Sequence, residues 1–400
     1  MTASSRALSA TPELRTGFYY STTFASGGVA GAYFAIWLSG KGISAADTGV
    51  INSVPVFLML AINIFVGRLA DRADDWRSVI IIGSLISGVM SFGLFFVNEF
   101  WGILLFWTLT AIPFAAVAPV IDAAAVRMTR RNGTEFGVVR AWGTLGYMSA
   151  LAATGYFVVW FGPGVFVPLF VIVSVLRGVA SLQLPKFRAS ERHKKTAEEK
   201  HVAKQSSELW KPWFLLPVVG FALLFSTLLM LNVFAALVWK SAGISEPIIG
   251  TLLAAGALSE AVIMFVFRQF STRFTARHLI LFAAVVTAIR WAAMALNPPV
   301  WVLFLLQSLH GISFGIGYMG LVNFIANWTS EDMAAEAQSV SFVLQQAFSV
   351  VALAGFGYLF QLLGIQAFFV AGGFCLVGAF LIWWSILLKN TKSEKENGPA

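Results

Sequence analysis

Six ionisable side chains lie inside otherwise apolar runs: Asp122, Arg140, Arg177, Glu260, Arg290 and His310. A charge removed from water is costly, and one held at membrane depth faces a partner or a wet cavity. The types present suit proton and anion handling. A carboxylate or an imidazole can take and give a proton. A planar guanidinium can hold a carboxylate through parallel charge-assisted hydrogen bonds.

Spacing groups these residues. Asp122 precedes the basic turn at Arg130 and Arg131, and Arg140 follows Phe136. At helical rise both lie roughly 8–10 Å in from the same end of a helical hairpin, so they can pair. Glu260 lies eight residues before Arg268, Arg290 eight before Pro298, and His310 eleven after Pro299. That puts all three near the middle of three consecutive helices, where an ionised Glu260 is expected to pair with Arg290. The competing reading is a static network that locks the helices together. Arg177 lies eight residues before Pro185 and is expected to snorkel to the cytoplasmic surface.

The elements that position these residues are membrane helices. The 400-residue chain is 58% hydrophobic and only 12% charged, with a mean hydropathy of +0.79. Soluble domains carry about 25% charged residues. Twelve runs reach the ~20 residues that a bilayer core demands. They fall near 15–38, 47–67, 78–98, 100–127, 137–160, 164–184, 212–238, 248–268, 279–297, 299–326, 336–361 and 364–388. They are apolar all round, which disfavours an alternating β-barrel. Pro113 and Pro119 are expected to bend the fourth helix.

Of 27 Lys and Arg, 22 fall in the tails and alternate loops. Positive loops stay in the cytoplasm, so both termini are expected there. The charge of +8 therefore reflects topology and gives no reason to expect a nucleic-acid partner. The stretch 185–211, with eight basic and four acidic residues, reads as a cytoplasmic linker. It separates residues 1–184 from 212–390, with a short tail at 391–400.

The halves share a faint repeat. "GISAADTG" at Gly42–Gly49 matches "GISEPIIG" at Gly243–Gly250, an offset of 201 residues. In the same register "GRLADR" (Gly67–Arg72) falls opposite "RQFSTR" (Arg268–Arg273). Internal repeats with sites at their interface are how many secondary transporters are built.

"GRLADRADDWR" (Gly67–Arg77) resembles the signature loop of the major facilitator superfamily. On that resemblance Gly67, Asp71 and Arg72 would form a gating latch; a charged turn that only fixes topology is the alternative. The acidic Asp74 and Asp75 depart from the family pattern. "VIDAAAVRMTRRNGTEFGVVRAWG" is similar to helices four and five of the lactose permease group. "GALSEAVIMF", "AIRWAAM" and "QSLHGISF" are closer to the phenylpropionate permeases.

The resemblance implies an all-α membrane protein of twelve transmembrane helices in two pseudo-symmetric six-helix bundles. It implies proton-coupled uptake of a small, aromatic carboxylate by alternating access. Carried over, Asp122, Arg140, Tyr147 and Arg290 would bind substrate, while Glu260 and His310 would handle the proton. Ser313 stands where the lactose permease group has a proton-carrying Glu, and Tyr318 where the phenylpropionate permeases have a second His. Symport of a sugar or other neutral solute, drug export and a membrane-embedded ligand sensor are the alternatives. No HExxH, no GxSxG and no metal-ligand spacing is present, so no enzyme, metal or cofactor is expected. "GIGYMG" (Gly315–Gly320) follows no strand and reads as close helix packing. The expected setting is a monomer in a bacterial inner membrane, with a small-molecule substrate, a proton and the lipid bilayer as its partners.

Overall fold

The computed structural model describes residues 11–72, 75–187, 210–329 and 331–388, and these are helical with no strand among them. The first group of helices is α1 (Pro12–Gly40), α2 (Ala45–Arg72), α3 (Trp76–Ser91), α4 (Phe100–Asn132), α5 (Phe136–Phe161) and α6 (Phe166–Leu182). The second is α7 (Pro212–Ser241), α8 (Glu246–Ser271), α9 (Ala276–Ala295), α10 (Val300–Ser308), α11 (Gly317–Trp328), α12 (Glu331–Leu363) and α13 (Ala367–Leu388). A π-helical segment, Gly311–Ile316, joins α10 to α11, so the tenth expected span is one rod with a wider turn inside it. Ten stretches among the described residues are long and apolar enough to cross a membrane. One of them, Glu336–Leu388, holds both α12 and α13, and α1 is not among the ten.

Local chemistry sets the ends. Asp75 has extended backbone and its carboxylate accepts from the Arg77 amide at 2.9 Å, capping α3. Gly133 closes α4 at φ 69°, a left-handed conformation that glycine takes without strain. Pro212 opens α7 where its missing N–H costs nothing. α4 continues as a single helix through Pro113 and Pro119.

Backbone contacts sort the chain into two compact units. One comprises the described residues of Met1–Tyr33 and Ala61–Glu191; the other comprises those of Phe34–Leu60 and Arg192–Ala400. The stretch Phe34–Leu60, placed with the first half by sequence order, therefore groups with the second. Glycines permit close backbone contact in this stretch. A Cβ on Gly49 would meet the Leu353 carbonyl oxygen at 2.4 Å, and one on Gly357 would meet that of Ala45 at 2.4 Å. Two reciprocal backbone approaches fasten α2 to α12.

Within the second unit α7 is the central rod: 72% of its span is buried, against 28% for the span of α8. Its neighbours α12 and α13 pack along it, and α9 packs along α13. The core of the first unit gathers Tyr19, Tyr20, Ile80, Ile121, Ala125 and Val139 from α1, α3, α4 and α5.

The repeat is visible in hydrogen bonds. Gly42 and Gly243 both have positive φ, 78° and 83°. The Gly42 amide donates to the Ser39 carbonyl and the Ile43 amide to that of Leu38; Gly243 and Ile244 do the same with Lys240 and Trp239. Both are helix ends in which a left-handed glycine satisfies the last carbonyls. A second pair lies at the starts of α3 and α9. Arg77 Nη2 donates to the Leu182 carbonyl at the end of α6 (2.7 Å), and Arg277 Nη1 to the Ser385 carbonyl near the end of α13 (2.8 Å). Each arginine donates to a carbonyl in the last described turn of a helix, where the backbone dipole favours a cation.

Arg277 is fully buried and Arg77 is not. Arg277→Met should therefore cost about 1.5–3 kcal/mol, the scale of a charged hydrogen bond. Thermal unfolding in detergent should show a larger loss than for Arg77→Met; equal losses would contradict the role given to burial. On the other face of the unit, a Cβ on Gly311 would meet the Ser259 carbonyl oxygen at 2.3 Å. Gly311→Ala should lower the melting temperature by forcing the tenth span away from α8, whereas Gly373→Ala, with nothing within 4 Å, should leave it unchanged.

Candidate functional site

Two polar clusters form, one in each unit. In the first unit α1 supplies Tyr20 and Phe24, α4 supplies Asp122 and α5 supplies Arg140. Tyr20 Oη donates to Asp122 Oδ1 at 2.6 Å. Arg140 Nε lies 3.9 Å from the same oxygen. The Arg140 guanidinium rests over the Phe24 ring at 3.9 Å and that of Tyr20 at 5.5 Å, a cation over two aromatic faces. Gly143, one turn beyond Arg140, leaves room for both: its absent Cβ would sit 2.9 Å from Phe24 and 3.1 Å from Arg140 Nη1. The Asp122 and Arg140 side chains remain 49% and 33% exposed, so the pair is accessible.

The pairing of Asp122 with Arg140 expected from depth is thus observed, and Tyr20 and Phe24 are additions. Their signal in the sequence was weak, because α1 carries no charge at that level to draw attention to them. Tyr147 lies two turns beyond Arg140 on α5 and is half-buried. Its carbonyl lies against Gly28, whose Cβ would approach it to 2.7 Å, so α1 and α5 touch backbone to backbone there.

In the second unit α8 supplies Glu260, α9 supplies Arg290 and α10 leads to Gln307 and His310. His310 Nε2 lies 3.6 Å from Glu260 Oε2. Arg290 Nη1 lies 3.2 Å from His310 Nδ1, and Arg290 Nη2 donates to Gln307 Oε1. A guanidinium only donates, so Nδ1 must accept and the imidazole proton belongs on Nε2, facing the carboxylate. The expected direct pairing of Glu260 with Arg290 is therefore corrected: His310 stands between them. Arg290 is fully buried, while the Glu260 side chain is 30% exposed. Gln307 was not anticipated, although it lies three residues before His310 and hence on the same helical face.

Small residues bring these groups into range. The Gly311 amide donates to Ser259 Oγ at 3.0 Å, and Ser259 Oγ donates to the Gly256 carbonyl at 2.7 Å. With no side chain at Gly311, α8 and the tenth span approach closely enough for Glu260 to reach His310. Ser313 is fully buried nearby.

Arg177 departs from expectation. It is 2% exposed, so it does not snorkel to the surface. Its guanidinium lies over the Phe114 ring at 4.6 Å. α6 lies close against α3, with a Cβ on Gly88 only 3.2 Å from the Ser174 carbonyl, one turn before Arg177.

Gly67, Asp71 and Arg72, the residues expected to form a latch, belong to the last turns of α2, and their side chains lie outside the described residues. The acid of this segment with visible contacts is Asp75, which besides capping α3 accepts from the Phe187 amide at 3.0 Å. Most of the linker, 188–209, and the tail beyond 388 also lie outside the described residues.

Known proteins share this architecture. The nucleoside transporter NupG superposes with a TM-score of 0.82 at 15% identity, covering 94% of this chain and 99% of that one. In sequence the chain is 26% identical to the "Probable 3-phenylpropionic acid transporter" of Escherichia coli (strain K12), covering 90% of this chain and 95% of the relative. It is 23% identical to the "Maltose permease" of Geobacillus stearothermophilus, covering 95% of each. The pattern of the MFS_1-like family spans residues 14–371. With its all-helical fold, its apolar membrane-length helices and that match over most of its length, the chain belongs to the MFS_1-like family and is a multi-pass secondary transporter of the major facilitator type.

Proposed function

We propose that this transporter takes up a small aromatic carboxylate together with a proton, by alternating access, as a monomer in a bacterial inner membrane with both termini in the cytoplasm. The observation that carries the reading is the Glu260–His310–Arg290 chain. It joins an accessible carboxylate to a buried guanidinium through one imidazole. The sequence relative named for 3-phenylpropionic acid supports the choice of substrate.

Charge counting gives the coupling. With Glu260 ionised, His310 neutral and Arg290 charged, the cluster is neutral overall. Protonation of Glu260 leaves Arg290 uncompensated, and a substrate carboxylate restores neutrality. A neutral cluster is far cheaper than a charged one when water is excluded around it. Only the empty carrier and the carrier loaded with both proton and anion therefore reorient readily. Arg290 supplies the anion contact, Gln307 holds its second nitrogen, and His310 links its state to that of Glu260. Asp122, Arg140 and Tyr147 are the polar contribution of the first unit. Gly67, Asp71 and Arg72 serve as the cytoplasmic latch.

Two outcomes test the assignment in proteoliposomes with an imposed pH gradient. Glu260→Gln, locked in the neutral form, should abolish accumulation against a gradient yet keep substrate exchange; accumulation by this variant would remove Glu260 from the coupling role. Arg290→Ala should weaken binding of aromatic acids roughly 10- to 100-fold, the scale of a lost charge-assisted hydrogen bond. Binding of neutral analogues should change far less. Equal losses for both classes would make Arg290 a structural cation, and selective uptake of sugars would favour neutral-solute symport.

A further inference from the structure

Three rings rise in register along the tenth span. The His310 and Phe314 planes are 8° apart with centroids at 6.3 Å, and those of Phe314 and Tyr318 are 6° apart at 5.4 Å. In an α-helix each step of four residues would turn the side chain by roughly 40°, so such a row would wind away from its start. The π-helical turn, Gly311–Ile316, lies within this row. Its wider turn cancels much of that rotation and keeps the three rings above one another.

The row is open. Phe314 is half-buried and Tyr318 is 37% exposed. Phe225 of α7 meets Phe314 from the side, with centroids at 6.3 Å and planes at 43°. The face that bears these rings begins at an ionisable histidine paired with Glu260, and such a face is costly to turn toward acyl chains. Its open aromatic surface therefore serves something other than lipid packing.

We propose that Phe314 and Tyr318 are the ring-selecting surface of this transporter, against which an aryl group of the substrate stacks while its carboxylate engages Arg290. The proposal deepens the carboxylate reading above and rests on Arg290 as the anion anchor. His310 marks the level of that anchor, and Phe314 lies one step of four residues, about 6 Å, farther along the axis. An acid whose ring and carboxylate are separated by two methylenes spans about 5 Å at ordinary carbon–carbon lengths, which matches one rung. Offset stacking on an aromatic face adds about 0.5–1.5 kcal/mol beyond area burial. A saturated ring of similar size gains only the area.

The test is direct binding to the full chain in nanodiscs, with 3-phenylpropionate, 3-cyclohexylpropionate, 3-phenylpropanol and 3-cyclohexylpropanol as probes. The wild type should prefer the aryl acid to its cyclohexyl counterpart. That preference should fall roughly 2- to 10-fold in Phe314→Leu and Tyr318→Leu. Tyr318→Phe should retain it, and all variants should keep the preference of acid over alcohol. If Phe314→Leu does not fold, the Tyr318 pair decides alone. An aryl preference unchanged in Tyr318→Leu overturns the ring surface and leaves the carboxylate reading intact. Equal binding of acid and alcohol by the wild type overturns the anchor; the two alcohols then judge the ring surface independently. A wild type that binds no aryl compound overturns both.

Discussion

One imidazole shared between a cation and an anion organises the second unit. Arg290 has no access to water, and a lone guanidinium there would be strongly unfavourable. His310 and Gln307 accept from it, and His310 passes the connection on to Glu260. Since Arg290 can only donate, its presence dictates the tautomer of His310, and that tautomer aims a hydrogen at the carboxylate. Removing any member would leave another buried group unpaired, so the cluster is held together by the cost of its alternatives as much as by its bonds.

That cluster exists because helices approach without side chains between them. The tenth span meets α8 at Gly311, where a methyl group would strike the Ser259 carbonyl. The same device fastens α2 to α12 at Gly49 and Gly357, and α1 to α5 at Gly28. In lipid there is little hydrophobic gain from joining two apolar helices, so close backbone contact and hydrogen bonding supply the specificity. Large apolar side chains such as Trp101, Phe96 and Leu387 stay exposed on the described surface, as a lipid-facing protein requires.

The first-unit cluster is built differently. Asp122 and Arg140 remain accessible, and aromatic faces from α1 steady the arginine. An accessible pair can exchange partners at low cost, whereas the buried Arg290 is tied through His310 to the state of Glu260. This contrast suits a division in which one unit adapts to the solute and the other links binding to protonation.

Hydropathy and basic-residue spacing alone determined that the chain is a bundle of membrane helices, because each span must satisfy its own backbone and bury or expose its own apolar length. Those constraints are local. The offset of 201 residues likewise announced the repeat, now seen as matching glycine turns at Gly42 and Gly243. Depth along each helix sufficed to bring Asp122 to Arg140. Rotation about the helix axis was not legible, and it decides which neighbour a side chain meets. It set His310 between Glu260 and Arg290, enclosed Arg177 beneath Phe114, and recruited Tyr20 and Gln307. It also depends on the π turn, which no residue pattern announced: a single wider turn, packed against α8 and α9, resets the phase of everything beyond it.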